Sequence, residues 1–176
     1  HTDIELNAHG RWQAQQLAHA LRDEPIAACY ASDLSRAHDT AQAVARQHGQ
    51  TVQTHTGLRE RCFGRFEGHT WAELEARFPD ETLLWRRRAP DFAPPGGESL
   101  QQVLARVVAA VTELASRHPG EQVLVVAHGS DEDLWCQQVR QVVANVSLPY
   151  PVELGFLEFV PNESIDDAVE RLESQG

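Results

Sequence analysis

The sequence is short of positive charge and of long apolar runs. It carries 15 Lys+Arg against 26 Asp+Glu in 176 residues, a formal net charge of −11. Because nucleic-acid phosphates are bound mainly by surplus cationic side chains, this balance argues against a nucleic-acid partner. The longest apolar stretches, such as residues 123–127, are far shorter than the roughly 20 residues that span a bilayer. We therefore predict a cytoplasmic protein with neither a nucleic-acid nor a membrane partner.

The sequence also lacks paired cysteines and closely spaced histidines. Cys29, Cys62 and Cys136 are odd in number, widely spaced and without a CxxC pair. This pattern argues against a disulfide framework and a cysteine zinc site, so we expect core thiols. No HxH or HExxH spacing occurs among the nine histidines. The sequence predicts no cofactor, and the histidines other than His128 are interpreted as surface residues.

What is present is the composition of one globular domain, 41% hydrophobic and 23% charged. Apolar periodicity predicts an α/β fold in which strands and helices alternate, with a parallel sheet covered on both faces as three α/β/α layers. The predicted strands span 26–32, 51–56, 123–127 and 152–159. The predicted helices span 8–22, 34–47, 103–115, 131–144 and 164–174. The long segment 59–98 is expected to carry two short helices, 70–78 and 82–88, and to form a lid or wall over a site.

Three polar residues follow three of the predicted strands. Arg36 follows the first strand, Glu60 the second and His128 the third. The carboxyl ends of parallel strands meet at one edge of a sheet, where such folds bind ligands. An arginine fork suits phosphate oxygens, and a carboxyl group or an imidazole can transfer a proton, which together describe a phosphoryl-transfer pocket. On spacing alone, a solvated Arg36, a surface charge pair at Glu60 and a structural His128 stay open as alternatives.

Residues 1–129 resemble the histidine phosphatase family, also called phosphoglycerate-mutase-like. The matching runs are TDIELNAHGRWQAQQLA, SDLSRAHDTA, LRERCFGRFEG, PPGGES and VLVVAHG. The resemblance implies that Arg36 binds phosphate, that Glu60 donates a proton and that His128 is a second catalytic-pocket histidine. In that family, a histidine in an RHG motif on the central strand becomes phosphorylated. This sequence contains no RHG run, so we predict little or no phosphatase turnover.

Residues 123–176 resemble a second family, the sirohydrochlorin cobaltochelatases and ferrochelatases. The runs VAHGS and ELGFLEF, followed by Pro161 and Ser164, carry this likeness. It implies that His128 could help deliver a metal to a tetrapyrrole. The family's second histidine, from a later strand, has no counterpart here, and one imidazole holds a divalent metal weakly.

The two resemblances share the strand at residues 123–127. We therefore expect a histidine-phosphatase-like fragment, 1–122, joined within one domain to a chelatase-like βαβα fragment, 123–176. The expected four-stranded parallel sheet has the order 2-1-3-4, half of a flavodoxin-like sheet. Because the sequence starts at His1 without methionine and stops after a predicted helix, we hypothesise an engineered or recombined chimera.

Three functions are compatible with these observations. The first is a folded chimera with a vestigial phosphate pocket that binds phosphate or another small anion. The second is a working phosphomonoesterase or mutase, and the third is a metal- or tetrapyrrole-binding module. Exposed edges of a four-stranded sheet favour a monomer or a weak homodimer.

Overall fold

The structure, a computed structural model, describes residues 1–128, and these form a parallel sheet with helices on both faces. The strands are β1 (Ile26–Ala31), β2 (Val52–Thr54) and β3 (Gln122–Val126). Their order is β2-β1-β3, and both neighbouring pairs run parallel. This order confirms the first three places of the predicted sheet. The predicted fourth strand, at 152–159, lies outside the described residues, as do the predicted helices 131–144 and 164–174.

Five α-helices accompany the three strands in the described part of the chain. They are α1 (Ala8–Ala20), α2 (Ser35–Gln47), α3 (Trp71–Arg77), α4 (Pro79–Arg86) and α5 (Leu100–Ser116). α1 begins at residue 8, as predicted, and the Asn7 side chain caps it by accepting a hydrogen bond from the Gly10 amide. α5 begins three residues before the predicted start, because Ser99 and Gln102 form a reciprocal capping box there.

Alternating side chains of the strands divide the core between the two faces of the sheet. Val123 and Val125 pack with Leu114 of α5, whereas Leu124 packs with Leu17 of α1 and Val44 of α2. Successive side chains of a strand point to opposite faces, so the helices lie on both sides of the sheet. The residues therefore form the predicted three-layer α/β/α arrangement.

The segment between β2 and α5 carries two short helices, as predicted, but the second begins earlier than expected. α4 starts at Pro79 rather than at residue 82, because proline suits the first turn of a helix, where its missing N–H is not needed. α3 is capped by Thr70, whose hydroxyl accepts from the amide of Glu73.

A close backbone contact ties this segment to the turn before α5. The amide of Glu98 donates to the carbonyl of Cys62 at 2.8 Å, and the amide of Arg65 donates to the carbonyl of Pro95 at 2.9 Å. Gly64 has a φ of +53°, and a Cβ atom there would lie 2.4 Å from the Pro95 carbonyl oxygen. Only glycine fits both the left-handed backbone and the close approach at this position.

The cysteines only partly follow the expectation of core thiols. Cys29 on β1 is fully buried, as predicted, and burial raises the pKa of its thiol. Cys62 is half-buried, so its prediction as a core residue is wrong, because the segment that carries it lies at the edge of the sheet rather than within it. Cys136 lies outside the described residues. Among residues 1–128 there is no helix of the length and apolarity needed to cross a membrane.

Candidate functional site

The three predicted site residues meet at the carboxyl edge of the sheet. Arg36 is the second residue of α2, and its Nη2 lies 3.9 Å from Oε2 of Glu60. His128 follows β3, and the positive charge of Arg36 acts on its imidazole. Arg36 and Glu60 are both half-buried rather than solvated. The alternative of a solvated Arg36 is therefore wrong, and the charge pair at Glu60 is formed with Arg36.

The turn from β1 into α2 places Arg36 at this edge. The amide of Ser32 donates to the Val126 carbonyl at 2.9 Å, which extends the pairing of β1 with β3 by one residue. The buried Ser32 hydroxyl then accepts from the amide of Leu34 at 3.2 Å and stabilises the turn. α2 begins directly after this turn, so the side chain of Arg36 lies within one helical turn of the strand end.

An arginine–carboxylate pair links the end of β1 to the segment that carries Glu60. Arg59 donates from Nε to Oδ1 of Asp33 at 2.7 Å and from Nη2 to Oδ2 at 2.5 Å. These hydrogen bonds hold the pKa of Asp33 below its usual value and raise the pKa of Arg59. Bidentate pairs fix orientation as well as distance, so the backbone next to Glu60 is held on this side.

A second arginine holds the same segment from α5. Arg106 donates from Nε and Nη2 to the two carboxylate oxygens of Glu98, each at 2.8 Å. Its remaining N–H groups donate to the carbonyls of Gly57, Arg59 and Glu60 at 2.8 to 3.0 Å. All five N–H donors of the guanidinium are therefore used.

Glu98 completes this second pair. Its Oε2 also accepts from the amide of Cys62 at 2.9 Å. Hydrogen bonds from Arg106 are the main reason that the pKa of Glu98 lies below its ordinary value. Glu98 and Arg106 thus position Glu60 without pairing with its carboxylate.

His128 is the most perturbed titratable group of the described chain. Burial, followed by the charges of Arg36 and Arg106, lowers the pKa of His128 to about 4, so its imidazole is neutral at pH 7. Its Nε2 atom is buried and, among the described residues, has no hydrogen-bond partner. A buried imidazole nitrogen without a partner is costly unless a ligand or water satisfies it.

Residues near the amino end of the sequence also reach the site. Oδ1 of Asp3 accepts from both the amide and the hydroxyl of Ser35, at 2.9 and 2.8 Å, and these bonds lower the pKa of Asp3. The imidazole of His1 hydrogen-bonds through Nε2 to the Glu60 carbonyl at 2.7 Å. His1 is exposed, as predicted for the histidines other than His128, and its ring also contacts the segment that carries Glu60.

Sequence reasoning found Arg36, Glu60 and His128 but missed the residues that hold them. Arg106 and the carbonyls it binds are 46 to 49 residues apart. The hydrophobic periodicity of a single helix or strand cannot predict a contact between residues so far apart in the sequence. Glu98 lies within PPGGES, one of the runs that carry the family resemblance, so its importance could have been inferred from the sequence. Nothing in that run indicates that Arg106 is its partner.

The arrangement has the chemistry of an anion pocket with a nearby acid. Arg36 supplies positive charge, the neutral imidazole of His128 offers a nitrogen that has no partner among residues 1–128, and a carboxyl oxygen of Glu60 lies 3.9 Å from Nη2 of Arg36. Within residues 1–128, no three His, Cys, Asp or Glu side chains form a group that could hold a metal ion. The guanidinium of Arg36 is suited to binding an anion, and the groups of His128 and Glu60 are suited to moving a proton.

Comparison with solved structures gives the same fold with a bound anion. Mycobacterial glucosyl-3-phosphoglycerate phosphatase in complex with inorganic phosphate superposes with a TM-score of 0.70 at 34% identity. The superposition covers 82% of this chain and 71% of that one.

Curated relatives belong to the same group of enzymes. Phosphoglycerate mutase-like protein 4 of Arabidopsis thaliana is 38% identical over 132 residues, which cover 73% of this chain and 57% of the relative. Glucosyl-3-phosphoglycerate phosphatase of Mycobacterium tuberculosis is 38% identical over 135 residues, which cover 72% of this chain and 60% of the relative. The chain thus spans less than two thirds of the length of either relative.

Two family models match the chain and overlap on β3. The CbiX model matches residues 122–176, most of which lie outside the described residues. The model of the histidine phosphatase superfamily (branch 1) matches residues 1–138, which include all three strands and Arg36, Glu60 and His128. This family model covers more than three quarters of the sequence, and Arg36, Glu60 and His128 lie at one edge of the sheet. The chain therefore belongs to the histidine phosphatase superfamily.

Proposed function

We propose that this 176-residue polypeptide binds a phosphate group, free or as a monoester, between Arg36, Glu60 and His128, and that alone it transfers that group slowly or not at all. The observation that carries the proposal is the buried Nε2 of His128, which has no hydrogen-bond partner within residues 1–128 and is acted on by the charge of Arg36. A phosphate oxygen would satisfy both groups at once. The relative solved with inorganic phosphate supports the same ligand chemistry.

Each residue has a role that follows from its surroundings. Arg36 donates N–H groups to phosphate oxygens and neutralises their charge. His128, neutral at pH 7, donates or accepts at Nε2 without adding charge, and a bound anion would raise its pKa again. Glu60, in its protonated form, would donate to the leaving oxygen of a monoester.

The low turnover follows from the missing nucleophile. Covalent phosphoryl transfer needs an activated nucleophile at phosphorus, which the family resemblance assigns to a histidine in an RHG run. The printed sequence holds no such run. Electrostatic groups alone stabilise the charge that develops, but they leave the first bond-forming step without its reactant.

The binding part is tested by titrating inorganic phosphate into the protein by calorimetry. Arg36→Gln should weaken binding about 10-fold or more, since charge-assisted hydrogen bonds contribute roughly 1.5–3 kcal/mol. Arg46→Gln is the matched control: it removes the same charge from an exposed position of the same helix and should leave affinity within about 2-fold. Equal affinities of the two variants would overturn the pocket.

The turnover part is tested with 4-nitrophenyl phosphate. We expect hydrolysis by the unsubstituted protein to equal that of its His128→Ala variant. Substantial turnover that His128→Ala abolishes, or a phosphohistidine adduct recovered after quenching, would show that the polypeptide is a working phosphatase.

A second candidate function is metal or tetrapyrrole binding, favoured by the CbiX match over residues 122–176. The same overlap on β3 supports the hypothesis that the chain recombines two families at this strand. Nε2 of His128, which has no partner in the described part of the chain, is an atom that could bind such a metal. Cobalt(II) titration of the full chain distinguishes the candidates: tight binding lost in His128→Ala supports the second, whereas unchanged spectra support the phosphate pocket.

A further inference from the structure

Exposed apolar side chains are concentrated on the two short helices α3 and α4. Five large hydrophobic residues of the described chain are strongly exposed, and three of them belong to these helices. They are Trp71, Leu83 and Leu84, with exposed fractions of 50%, 47% and 42%. Single exposed apolar residues are common, whereas a cluster of them bordered by charges is typical of an interaction surface. None of the three takes part in the proposed phosphate pocket.

The outer face of α4 is a stripe of four exposed residues, Asp80, Leu83, Leu84 and Arg87, which we call the α4 stripe. They follow the spacing i, i+3, i+4 and i+7, and Arg87 at the end of the helix keeps a helical backbone. With 3.6 residues per turn, these positions lie within about 100° of the helix circumference. Thr82 points the other way and is only 1% exposed. α4 therefore presents a carboxylate, two leucines and a guanidinium in a row.

The α4 stripe is complementary to itself under a two-fold rotation. The midpoint between Asp80 and Arg87 in the sequence is also the midpoint between Leu83 and Leu84. When two copies of α4 pack antiparallel about this point, Leu83 of one copy faces Leu84 of the other, and Asp80 faces Arg87. A two-fold interface needs this reciprocal relation between the residues on its two sides. Such a contact holds two acid–base pairs around four leucines.

We propose that two copies of this chain associate through the α4 stripe as an antiparallel two-fold dimer. The net charge of −11 opposes the association of identical molecules. An arginine opposite each aspartate replaces this repulsion by attraction at the point of contact. The antiparallel orientation is favoured, because a parallel contact would place the two Asp80 carboxylates against each other.

The dipole of α4 explains only part of this pattern. Asp80 lies in the first turn of the helix, where a negative charge is stabilising, and Arg87 lies at the end, where a positive charge is. The dipole gives no reason for two exposed leucines between these charges. The neighbouring Arg86 is held by α3, since it pairs with Glu75 and its guanidinium carbon lies 5.4 Å from the ring centroid of Trp71. The α4 stripe therefore uses Arg87 and not Arg86.

The size of the α4 stripe sets the strength of the dimer. Each copy contributes two leucines that are already about half covered by their own chain. The area buried should lie at the low end for protein interfaces, below about 1,200 Å² in total. We therefore expect a weak dimer, with a Kd of about 10–500 µM.

Sedimentation equilibrium of the full chain at about 0.15 M salt tests the dimer. The average mass should rise from one copy towards two between about 10 µM and 1 mM protein. Asp80→Lys and Arg87→Glu, each alone, should weaken association at least about 10-fold, because like charges then face each other. An equimolar mixture of the two variants should regain the original affinity within about 3-fold, since each introduced charge then faces its opposite in the other copy.

Recovery in the mixture separates the interface from a folding defect, because neither variant can repair the other's fold. Leu84→Asn should also weaken association at least about 10-fold. Trp12→Ala, which removes a tryptophan of similar exposure from α1, should leave it unchanged. Arg46→Glu makes the same charge reversal as Arg87→Glu at an exposed position of α2 and should have no effect.

The dimer and the phosphate pocket can fail separately. Arg36→Gln should leave self-association unchanged, and Asp80→Lys should bind phosphate as the unsubstituted protein does. A protein that stays monomeric up to about 1 mM would overturn the proposal. So would a mixture of Asp80→Lys and Arg87→Glu that fails to associate, or equal effects of Arg46→Glu and Arg87→Glu.

Discussion

The imidazole of His128 links the pocket to the stability of the folded state. The unfolded chain protonates this residue near its ordinary pKa of about 6.5, whereas the folded chain protonates it only near pH 4. Between these two values the unfolded state binds more protons. The free energy of unfolding therefore falls as the pH is lowered through this window, and the contribution is complete above about pH 6.5.

We expect this one group to lower the free energy of unfolding by about 2 kcal/mol between pH 7 and pH 5. Urea denaturation at the two pH values measures the change, and His128→Gln should remove that part of it. His9→Gln, at an exposed position of α1, should keep it. A pH dependence that is the same in all three proteins would contradict the buried neutral imidazole.

Glu98 has opposite effects on stability and on anion binding. Glu98→Gln leaves the half-buried guanidinium of Arg106 without its counter-charge, which should cost about 2–3 kcal/mol in denaturation experiments. The same loss leaves the charge of Arg106, which acts on His128, uncompensated. Phosphate should therefore bind more tightly to the variant than to the unsubstituted protein.

The control for this variant is Glu113→Gln, which removes a half-exposed carboxylate of α5 that pairs with Arg117 and with His55. An exposed i,i+4 pair contributes only about 0.3–0.5 kcal/mol, so this variant should change neither stability nor phosphate affinity appreciably. Weaker phosphate binding by Glu98→Gln would show that Glu98 orients the pocket more than it neutralises it.

The residues of the pocket were predictable to different degrees. Arg36, Glu60 and His128 each follow a strand, and the edge rule for parallel sheets brings such residues together. Arg106 could not be found this way, because its partners are carbonyl groups that every residue carries. Its hydrogen bonds become visible only when α5 and the segment after β2 have their places in three dimensions.

At the scale of elements, hydrophobic periodicity predicted which helices exist better than it predicted where each helix begins. The apolar spacing indicated α5, but its start depends on the Ser99 and Gln102 side chains, which the spacing does not include. Similarly, the early start of α4 depends on Pro79. Single capping residues determine where a helix ends, whereas an apolar face that continues over several turns determines whether the helix forms.

The contact between the segment after β2 and the turn before α5 should depend on Gly64. Gly64→Ala combines a left-handed backbone with a Cβ that would meet backbone atoms of Pro95 and Gly97 at 2.4 and 2.5 Å. We expect a loss of about 2–4 kcal/mol, because the neighbouring backbone must move. Urea denaturation measures it.

Gly96→Ala is the matched control in the facing turn. Gly96 also has a positive φ, +73°, but nothing lies within 4 Å of its would-be Cβ. Gly96→Ala should lower the free energy of unfolding by only about 1 kcal/mol, which is the cost of a left-handed backbone for a residue with a Cβ atom. Equal losses for the two variants would mean that the close approach at Gly64 contributes nothing beyond the backbone angle.

At the scale of the whole molecule, the pocket is assembled from elements that lie far apart in the sequence. Arg36 comes from α2, His128 from the end of β3, and Glu60 from the segment that Arg106 of α5 holds. Such a pocket exists only while the sheet and its helices are in place. Phosphate binding should therefore stabilise the sheet as a unit rather than one loop of it.

Cys29 provides the probe for this coupling, since it is fully buried on the central strand β1. In a Cys62→Ser, Cys136→Ser variant, a thiol reagent should label Cys29 only when the sheet opens, and phosphate at 100 times its Kd should slow labelling about 100-fold. Arg36→Gln in the same background should abolish the slowing, while Arg46→Gln should preserve it. Labelling that phosphate does not slow would mean that β1 opens while the pocket persists, which the shared placement of Ser32, Arg36 and His128 around the ends of β1 and β3 argues against.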